Sequence, residues 1–451
     1  MINRAYRFVI PILALWLVTW IVISWAGIQD DALIHLRYAD NLFKTHLITY
    51  DGVHPGYGAS SLLYVYLLSA LRAFVQSPDL PRIVSTFFHL LLTAGLVLLF
   101  LRAIPRESSL ARLLGLITIF LIVSPSAVRW LDDGMETGFA LCFVALLCWI
   151  TFHQSTRHSI TGPQYATFVV SGFFAVLLRT ELLLICGLSF AILAWKNLFS
   201  REASPASDQR VKAVLSGTHL LLGALLALTF IRLKMHFLLP DTALAKSTGI
   251  PSWFSALHVT GTVLASALSF GAGMFFLWIL TIILVLRAGA SFIPALFANS
   301  VFPILLFLAA LRGQQIQGAR YFVWTLFFSV LWNILEIGRL SPDREGRRGF
   351  VPVYGFIVLL LLAAPFEARL MAPMLRERAN IMKTFESQHF EVFQGKQGVA
   401  YDVGYVGYFS RASICDLAGL VNGREKATLN RNARIAACAA SHPDFLYLNA
   451  G

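Results

Sequence analysis

The sequence predicts a polytopic, all-α membrane protein with a small C-terminal α/β domain, and three observations predict it. Apolar residues fill 57% of the 451 positions and charged residues only 13%, about half the charged share of an ordinary soluble domain. Runs of roughly 20 apolar residues recur along most of the chain, each long enough to cross a bilayer as a helix. Lys and Arg concentrate in alternate short loops, the pattern that sets orientation during insertion.

Taken in order, the first run covers residues 8–27. It is too long for a signal-peptide core and has no small-residue cleavage site behind it, so it is expected to stay as a span. The basic loops contain Arg4 and Arg7, then Arg102, Arg106 and Arg112, then Arg157, then Lys196, Arg201, Arg210 and Lys212, then Arg287. The last contains Arg339, Arg344, Arg347 and Arg348. Placing them all in the cytoplasm leaves the other loops outside. The net charge of +12 then reads as an insertion signal, with no nucleic acid expected as partner.

Residues 61–75, "SLLYVYLLSALRAFV", are few for a crossing and include Arg72, which suits a helix lying in the membrane interface. Were this segment to cross, Arg102–Arg112 would fall outside. Residues 28–82 are therefore expected to form one outer segment. Further spans are expected at 83–101, 113–128, 138–152, 163–178, 181–195, 213–237, 257–286, 291–311, 320–338 and 351–366. With the first they make about 11, with the amino terminus inside and the carboxyl terminus outside.

From Glu367 the composition becomes polar, leading into "GVAYDVGYVGYFS" and "SICDLAGLVN", which are β-prone with Gly punctuation. The expected division is a transmembrane module at 1–366 and an external α/β domain at 367–451. Cys142, Cys148 and Cys186 fall in spans and read as packing residues. Cys415 and Cys438 fall in the outer domain, where a disulfide is permitted, although spacing alone leaves their pairing open.

The polar residues expected outside form a pattern. In "GIQDDALIHLRYADNL", a helix from Asp30 puts Ile34, Arg37 and Asn41 on one face and Asp31, His35 and Tyr38 on the next. A carboxylate pair beside an Arg suits sugar transfer from a lipid phosphate: an acid takes the acceptor's proton while a cation holds the departing phosphate. The same acids could simply start a surface helix, and both readings stand here. "WLDDGMETGF" adds Asp132, Asp133 and Glu136, "LLRTELLL" adds Arg179 and Glu181, "LPDTALAKSTG" adds Lys246, and "RGQQIQGARYF" adds Arg320. Ionisable groups at membrane depth are functional candidates by default. His35, His46 and His54 share the first loop without a short ligand spacing and read as surface histidines. The paired acids would suit an oxygen-ligand cation such as Mg²⁺.

These motifs resemble, in order, the bacterial GT-C-fold glycosyltransferases that use polyprenyl-phosphate sugars, the arabinofuranosyltransferase- and mannosyltransferase-like branch. "DDALIHLRYADNL" is similar to the family's DDA-[YF]-I-x-x-RYA-x-NL. "DGVHPGYGASSLLY" keeps Gly56, Tyr57, Ser60 and Ser61 of E-G-Y-T-[ST]-P-L-W but has His54-Pro55 where the Glu stands. "DDGMETGF", "LLRTELLL", "LPDTALAKSTG" and "GARYF" are similar to S-G-L-E-T-A-L-F, L-R-P-E-G-L-L, L-P-N-T-x-x-A-K-S/G and G-x-R-[FY]. "VAYDVGYVGYFSRASICDLAGLVN" is similar to the family's outer-domain stretch.

The resemblance implies an inverting transferase in the bacterial inner membrane, moving a sugar from a polyprenyl-phosphate donor to an envelope glycan or lipid at the outer face. It implies Asp30 as the base, with Asp31 next, and Arg37, Lys246 and Arg320 around the donor phosphate. Tyr57, Glu136, Arg179, Glu181 and Asp402 become substrate contacts. Tyr401, Tyr405 and Tyr408 suit sugar stacking, or else the packing of a folded domain. A secondary transporter, whose charges sit near mid-membrane on broken helices, and a non-catalytic envelope-assembly protein are the alternatives.

Overall fold

Helices build nearly the whole chain, as its apolar runs require. The computed structural model describes residues 2–25, 27–54, 56–156, 162–199, 207–245, 260–261, 273–311, 322–340 and 350–447. Helix α1 (Ile2–Ser24) leads into α2 (Asp30–Thr45), and α3 (Leu62–Leu71) follows. Next come α4 (Leu80–Ala103), α5 (Ser109–Ile122), α6 (Pro125–Leu131), α7 (Thr137–Thr156) and α8 (Gly162–Leu178). After a 3-10 turn at Thr180–Leu182 come α9 (Leu183–Leu198), α10 (Ser207–Met235) and α11 (Asp241–Ala245). The bundle closes with α12 (Gly273–Arg287), α13 (Phe292–Asn299), α14 (Val301–Leu311), α15 (Val323–Leu340) and α16 (Phe350–Ser387).

Among the described residues, five stretches are long and apolar enough to cross a bilayer: Leu80–Ala103, Thr137–Thr156, Thr180–Leu198, Val214–Met235 and Val323–Leu340. The pair α5 and α6, bent by 63°, makes a sixth if taken as one span. The bend falls where the Ser124 hydroxyl caps α6 and Pro125 occupies its first turn, a helix start that suits Pro. The sequence leads to an expectation of about 11, of which the run at 257–286 lies partly outside the described residues. Shorter apolar helices at Val9–Ser24, Pro163–Leu178 and Gly273–Arg287 account for part of the difference. The run expected at 291–311 is divided into α13 and α14. Helix α3 has 10 residues, about 15 Å of helix and half an apolar bilayer core, so it does not cross. Arg72 at its end is buried, ion-paired with Asp40 and donating to the Tyr408 hydroxyl at 2.7 Å.

Connections gather at two opposite ends. At one, Arg82 donates to the Gly27 carbonyl at 2.6 Å, Gln29 N–H to Asp133 at 2.8 Å, and Asp241 N–H to Tyr57 at 2.7 Å. At the other, Arg112 caps the Ile104 and Pro105 carbonyls, Gly338 lies against Ile104, and Lys196 and Arg339 both pair with Glu336. Three of the basic loops expected on one side thus meet.

Helix α16 runs unbroken through the boundary expected at 366/367, so the strand-bearing module starts beyond Ser387. Its sheet is parallel, in the order β2-β1-β3, from β1 (Gln397–Ala400), β2 (Ser413–Asp416) and β3 (Phe445–Tyr447). Parallel neighbours need crossovers. Helix α17 (Val403–Ser410) supplies the first, and α18 (Arg424–Thr428) with α19 (Arg431–Ala439) the second. Cys415 and Cys438 form a disulfide that ties β2 to α19. Cys148 and Cys186 are buried and Cys142 half-buried among the spans, in keeping with packing.

The sequence reads 403–410 as β-prone, but the segment is helical. Close packing explains why. A Cβ on Gly404 would stand 1.8 Å from the Asp30 carbonyl oxygen, and one on Gly407 would stand 1.7 Å from the Tyr50 hydroxyl. These glycines lie three apart on one helix face, and they let α17 lie directly on α2 and its loop. Val403, Val406, Ile414 and Val421 join Leu33, Leu36 and Tyr38 in one buried cluster, each aliphatic side chain contributing about 1.5–3 kcal/mol. The C-terminal module and α2 therefore share a core.

Candidate active site

Helix α2 turns two polar faces to different neighbours, and the sequence spacing divides them as expected. On the first face, both Asp30 oxygens accept backbone N–H groups from the first turn of α17: Oδ2 from Gly404 at 2.9 Å and Oδ1 from Tyr405 at 2.7 Å. Arg37 donates from Nε to the Tyr50 carbonyl at 2.7 Å and from Nη2 to the Ala412 carbonyl at 2.9 Å. Asn41 donates to the Thr49 and Tyr50 carbonyls. The Tyr50 hydroxyl returns to the Val403 carbonyl at 2.6 Å, and the Tyr405 hydroxyl donates to the Ile28 carbonyl. This face docks the C-terminal module. Burial raises Asp30 to about 7, against the lowering pull of the Tyr405 and Gly404 amides and with a further push from Asp31.

The second face opens on a cleft lined by Asp31, His35, Ser60, Glu136, Arg179 and Thr242, among others. His35 Nδ1 lies 2.9 Å from the Asp31 carbonyl oxygen. A carbonyl only accepts, so that nitrogen carries the proton and Nε2 of the neutral ring is an acceptor. The Ser60 hydroxyl then has one hydrogen for two acceptors, His35 Nε2 at 3.2 Å and Glu136 Oε1 at 3.4 Å. Glu136 Oε2 stands 4.0 Å from His35 Nε2. Arg179 balances Glu136 through Nη1 at 2.8 Å and reaches Glu181 at 3.4 Å. His35 Nε2 thus faces both Ser60 and Glu136.

Local structure fixes each member. Glu136 stands just before α7, after a turn at Gly134, whose φ of +88° suits glycine. The Gly134 carbonyl accepts the Tyr64 hydroxyl at 2.8 Å, pinning the turn to α3. Arg179 is the extended residue between α8 and the 3-10 turn. Ser60 precedes α3, and Thr242 lies in α11. Separate elements thus deliver the cleft's polar groups to one end of the bundle.

The expected site residues divide accordingly. Asp31, Glu136 and Arg179 come together, with Glu181 at the rim, its side chain 39% exposed. Asp30 and Arg37, expected as base and phosphate ligand, are instead bound to backbone groups of α17, Tyr50 and Ala412. Spacing showed that they share a face but not what the face meets. Tyr57, expected to touch substrate, is buried in the bundle core, and its backbone brackets Asp241. Asp402 sits at the start of α17 without capping it. Tyr405 and Tyr408 pack inside, Tyr405 stacked on Phe385, while Tyr401 is exposed. Asp132 pairs with buried His89, and Asp133 accepts the Met135 N–H. Lys246 and Arg320 lie outside the described residues.

Sequence reasoning left His35 as a surface group and passed over Ser60 as a cleft residue. The signal was present in the (i, i+4) spacing of Asp31 and His35. Among the described residues no cluster of three or more His, Cys, Asp or Glu is arranged to hold a metal ion. Arg179 already pairs with Glu136 and Glu181, so these two acids have a cation of their own. No family model matches this chain and no curated protein is similar to it, so the site is read from its own geometry.

Proposed function

We propose that the chain is an inverting glycosyltransferase of the GT-C type, acting with a polyprenyl-phosphate sugar at the outer face of a bacterial inner membrane. One observation carries the reading: Asp31, His35, Ser60, Glu136 and Arg179 converge from separate elements on one cleft at a single end of an apolar helical bundle. The disulfide in the C-terminal module favours an oxidising, non-cytoplasmic location for that end.

In this reading Asp31 is the base, because Asp30 has both oxygens engaged by α17. The acceptor hydroxyl gives its proton to Asp31 as its oxygen attacks the sugar's anomeric carbon. The bond from that carbon to the phosphate oxygen breaks on the opposite side, and the polyprenyl phosphate leaves with the bonding pair. A positioned base of this kind contributes roughly 10²–10⁴ in rate. Arg179, with Lys246, which follows α11 directly in sequence, and Arg320, would offset the charge growing on the phosphate. Glu136 holds Arg179 and His35 in place. The cleft is narrow, about 30 Å³, so it must widen to admit a sugar.

The test is transfer from a panel of polyprenyl-phosphate pentoses and hexoses by the purified chain. Asp31→Asn abolishes it without loss of expression. Full activity in that variant would remove Asp31 as the base, and no transfer by the wild type from any of these donors would remove the transferase reading.

A further inference from the structure

A second, larger cavity of about 290 Å³ lies between the first loop and the C-terminal sheet, close to the roughly 300 Å³ at which small-molecule sites begin. Its wall comes from both modules: Tyr50, His54 and Gly56 on one side, Gln397, Ser413 and Lys426 on the other. Asp51 also lines it, but its oxygens accept the Thr49 hydroxyl, the Val53 and His54 amides and the His54 ring. The carboxylate is thereby occupied by its own turn. One ammonium, Lys426, held 3.3 Å from the Cys415 sulfur, remains among amide, hydroxyl and imidazole groups. That mixture suits a neutral, hydroxyl-rich ligand better than an anion, which would call for clustered cations.

The cavity and the catalytic cleft share a wall. Gly58 and Leu420 line the cleft, while Gly56 and Val421 line the cavity. The wall itself is the close approach of the two chain segments, where a Cβ on Gly58 would meet the Leu420 carbonyl at 2.5 Å. A ligand seated in the larger cavity thus ends within a residue or two of the cleft.

We infer that this cavity is an acceptor subsite, which holds neutral sugar units of a glycan whose terminal hydroxyl reaches across the Gly58–Leu420 wall to the cleft. The inference rests on the transferase reading and narrows its acceptor from a glycan or lipid to a neutral oligosaccharide. Placement of the acceptor by groups remote from the reacting atoms lowers the entropic part of the barrier.

The test is equilibrium binding of neutral tri- to pentasaccharides of pentoses and hexoses to the full chain in lipid nanodiscs, without donor. At least one binds the wild type at millimolar concentration or below. Ser413→Trp, which fills the cavity, weakens it at least tenfold. Because Ser413 lies on β2, Gln397→Ala and His54→Ala, both on exposed side chains, serve as gentler variants and weaken binding severalfold. Asp31→Asn, which touches only the terminal hydroxyl that reaches the cleft, weakens binding far less than Ser413→Trp does. The inference fails if no neutral oligosaccharide binds, if only phosphorylated or carboxylated ones do, or if filling the cavity changes nothing. It also fails if Asp31→Asn abolishes binding, since the ligand would then sit in the cleft. Transfer by the wild type from the donor panel tests the transferase reading separately, so the two can fail independently.

Discussion

Asp30 and Asp31 are neighbours on one helix, and the structure puts them to opposite uses. Asp30 is closed over by α17, with both oxygens taken by backbone N–H groups. Asp31 looks into a cleft beside His35, Glu136 and Arg179. Adjacent residues on a helix point about 100° apart, enough for one to fasten a domain while the other faces a ligand. What separates a structural acid from a chemical one here is the partner across from it. Partners with nothing further to give make a latch. Side chains gathered from separate elements around an open cleft leave Asp31 facing space that a ligand can enter.

The largest effect that would sharpen this contrast is expected at Glu136. Glu136→Gln leaves the buried Arg179 guanidinium without its closest carboxylate, a change that costs about 3–5 kcal/mol when one partner of a buried pair is removed. Thermal unfolding of the purified chain should show it. Arg179→Met added to Glu136→Gln should recover much of that stability while transfer stays absent. Recovered transfer in the double variant would make the pair scaffolding only and erase the difference between the two faces.

Next comes the direct exchange of roles. Asp31→Asn should lower transfer by about 100-fold or more, with little change in how the C-terminal module is held. Asp30→Asn, which keeps one accepting oxygen for α17, should leave transfer within severalfold of wild type. The reverse ranking in a transfer assay would mean that the latch opens during the reaction and that Asp30 is the base.

A smaller effect is expected where the latch is made. Gly404→Val would force α17 away from the Asp30 carbonyl, overpacking that typically costs about 1–3 kcal/mol. Limited proteolysis should then release the module beyond Ser387 faster than in wild type. Unchanged protection would show that the shared core around Val403 and Val406, and not the close approach, holds the module.

Much of this was legible in the sequence and some was not, for reasons specific to each part. The 3.6-residue period separated Asp30, Arg37 and Asn41 from Asp31 and His35, because helix geometry is local. The partners of those faces were not local. Gly404 and Tyr405 lie 374 and 375 residues from Asp30, and no spacing rule reaches so far. Arg37 looked like a phosphate ligand for the same reason, since the Ala412 carbonyl that holds it becomes a neighbour only on folding. The aromatic and valine content of 403–410 suggested a strand, and the two glycines that bring α17 onto α2 looked like breaks. The apolar runs were plain throughout. Their number of crossings was not, because the helices at Val9–Ser24 and Pro163–Leu178 and the divided α13 and α14 have the composition of spans without the length.

The smallest effect lies in pH and bears on the latch alone. Burial holds Asp30 at about 7, against an ordinary value of 3.8. Between about 4 and 7 the folded chain therefore keeps a proton that the unfolded chain releases. Stability from this group is full below about 4 and is lost as the pH climbs through about 7. Asp416, raised by burial to about 6 although the Leu420, Ala418 and Val421 amides pull it down, adds a similar loss slightly lower. Unfolding temperatures between pH 4 and 8 should fall with rising pH, and Asp30→Asn should flatten the part above about 6, which Asp416 does not reach. A wild-type curve that rises through this range would mean that the two N–H groups at the start of α17 outweigh burial, as the positive end of a helix favours a carboxylate. The latch would then be a charged cap, and its grip on the module would tighten, not loosen, as the acid ionises.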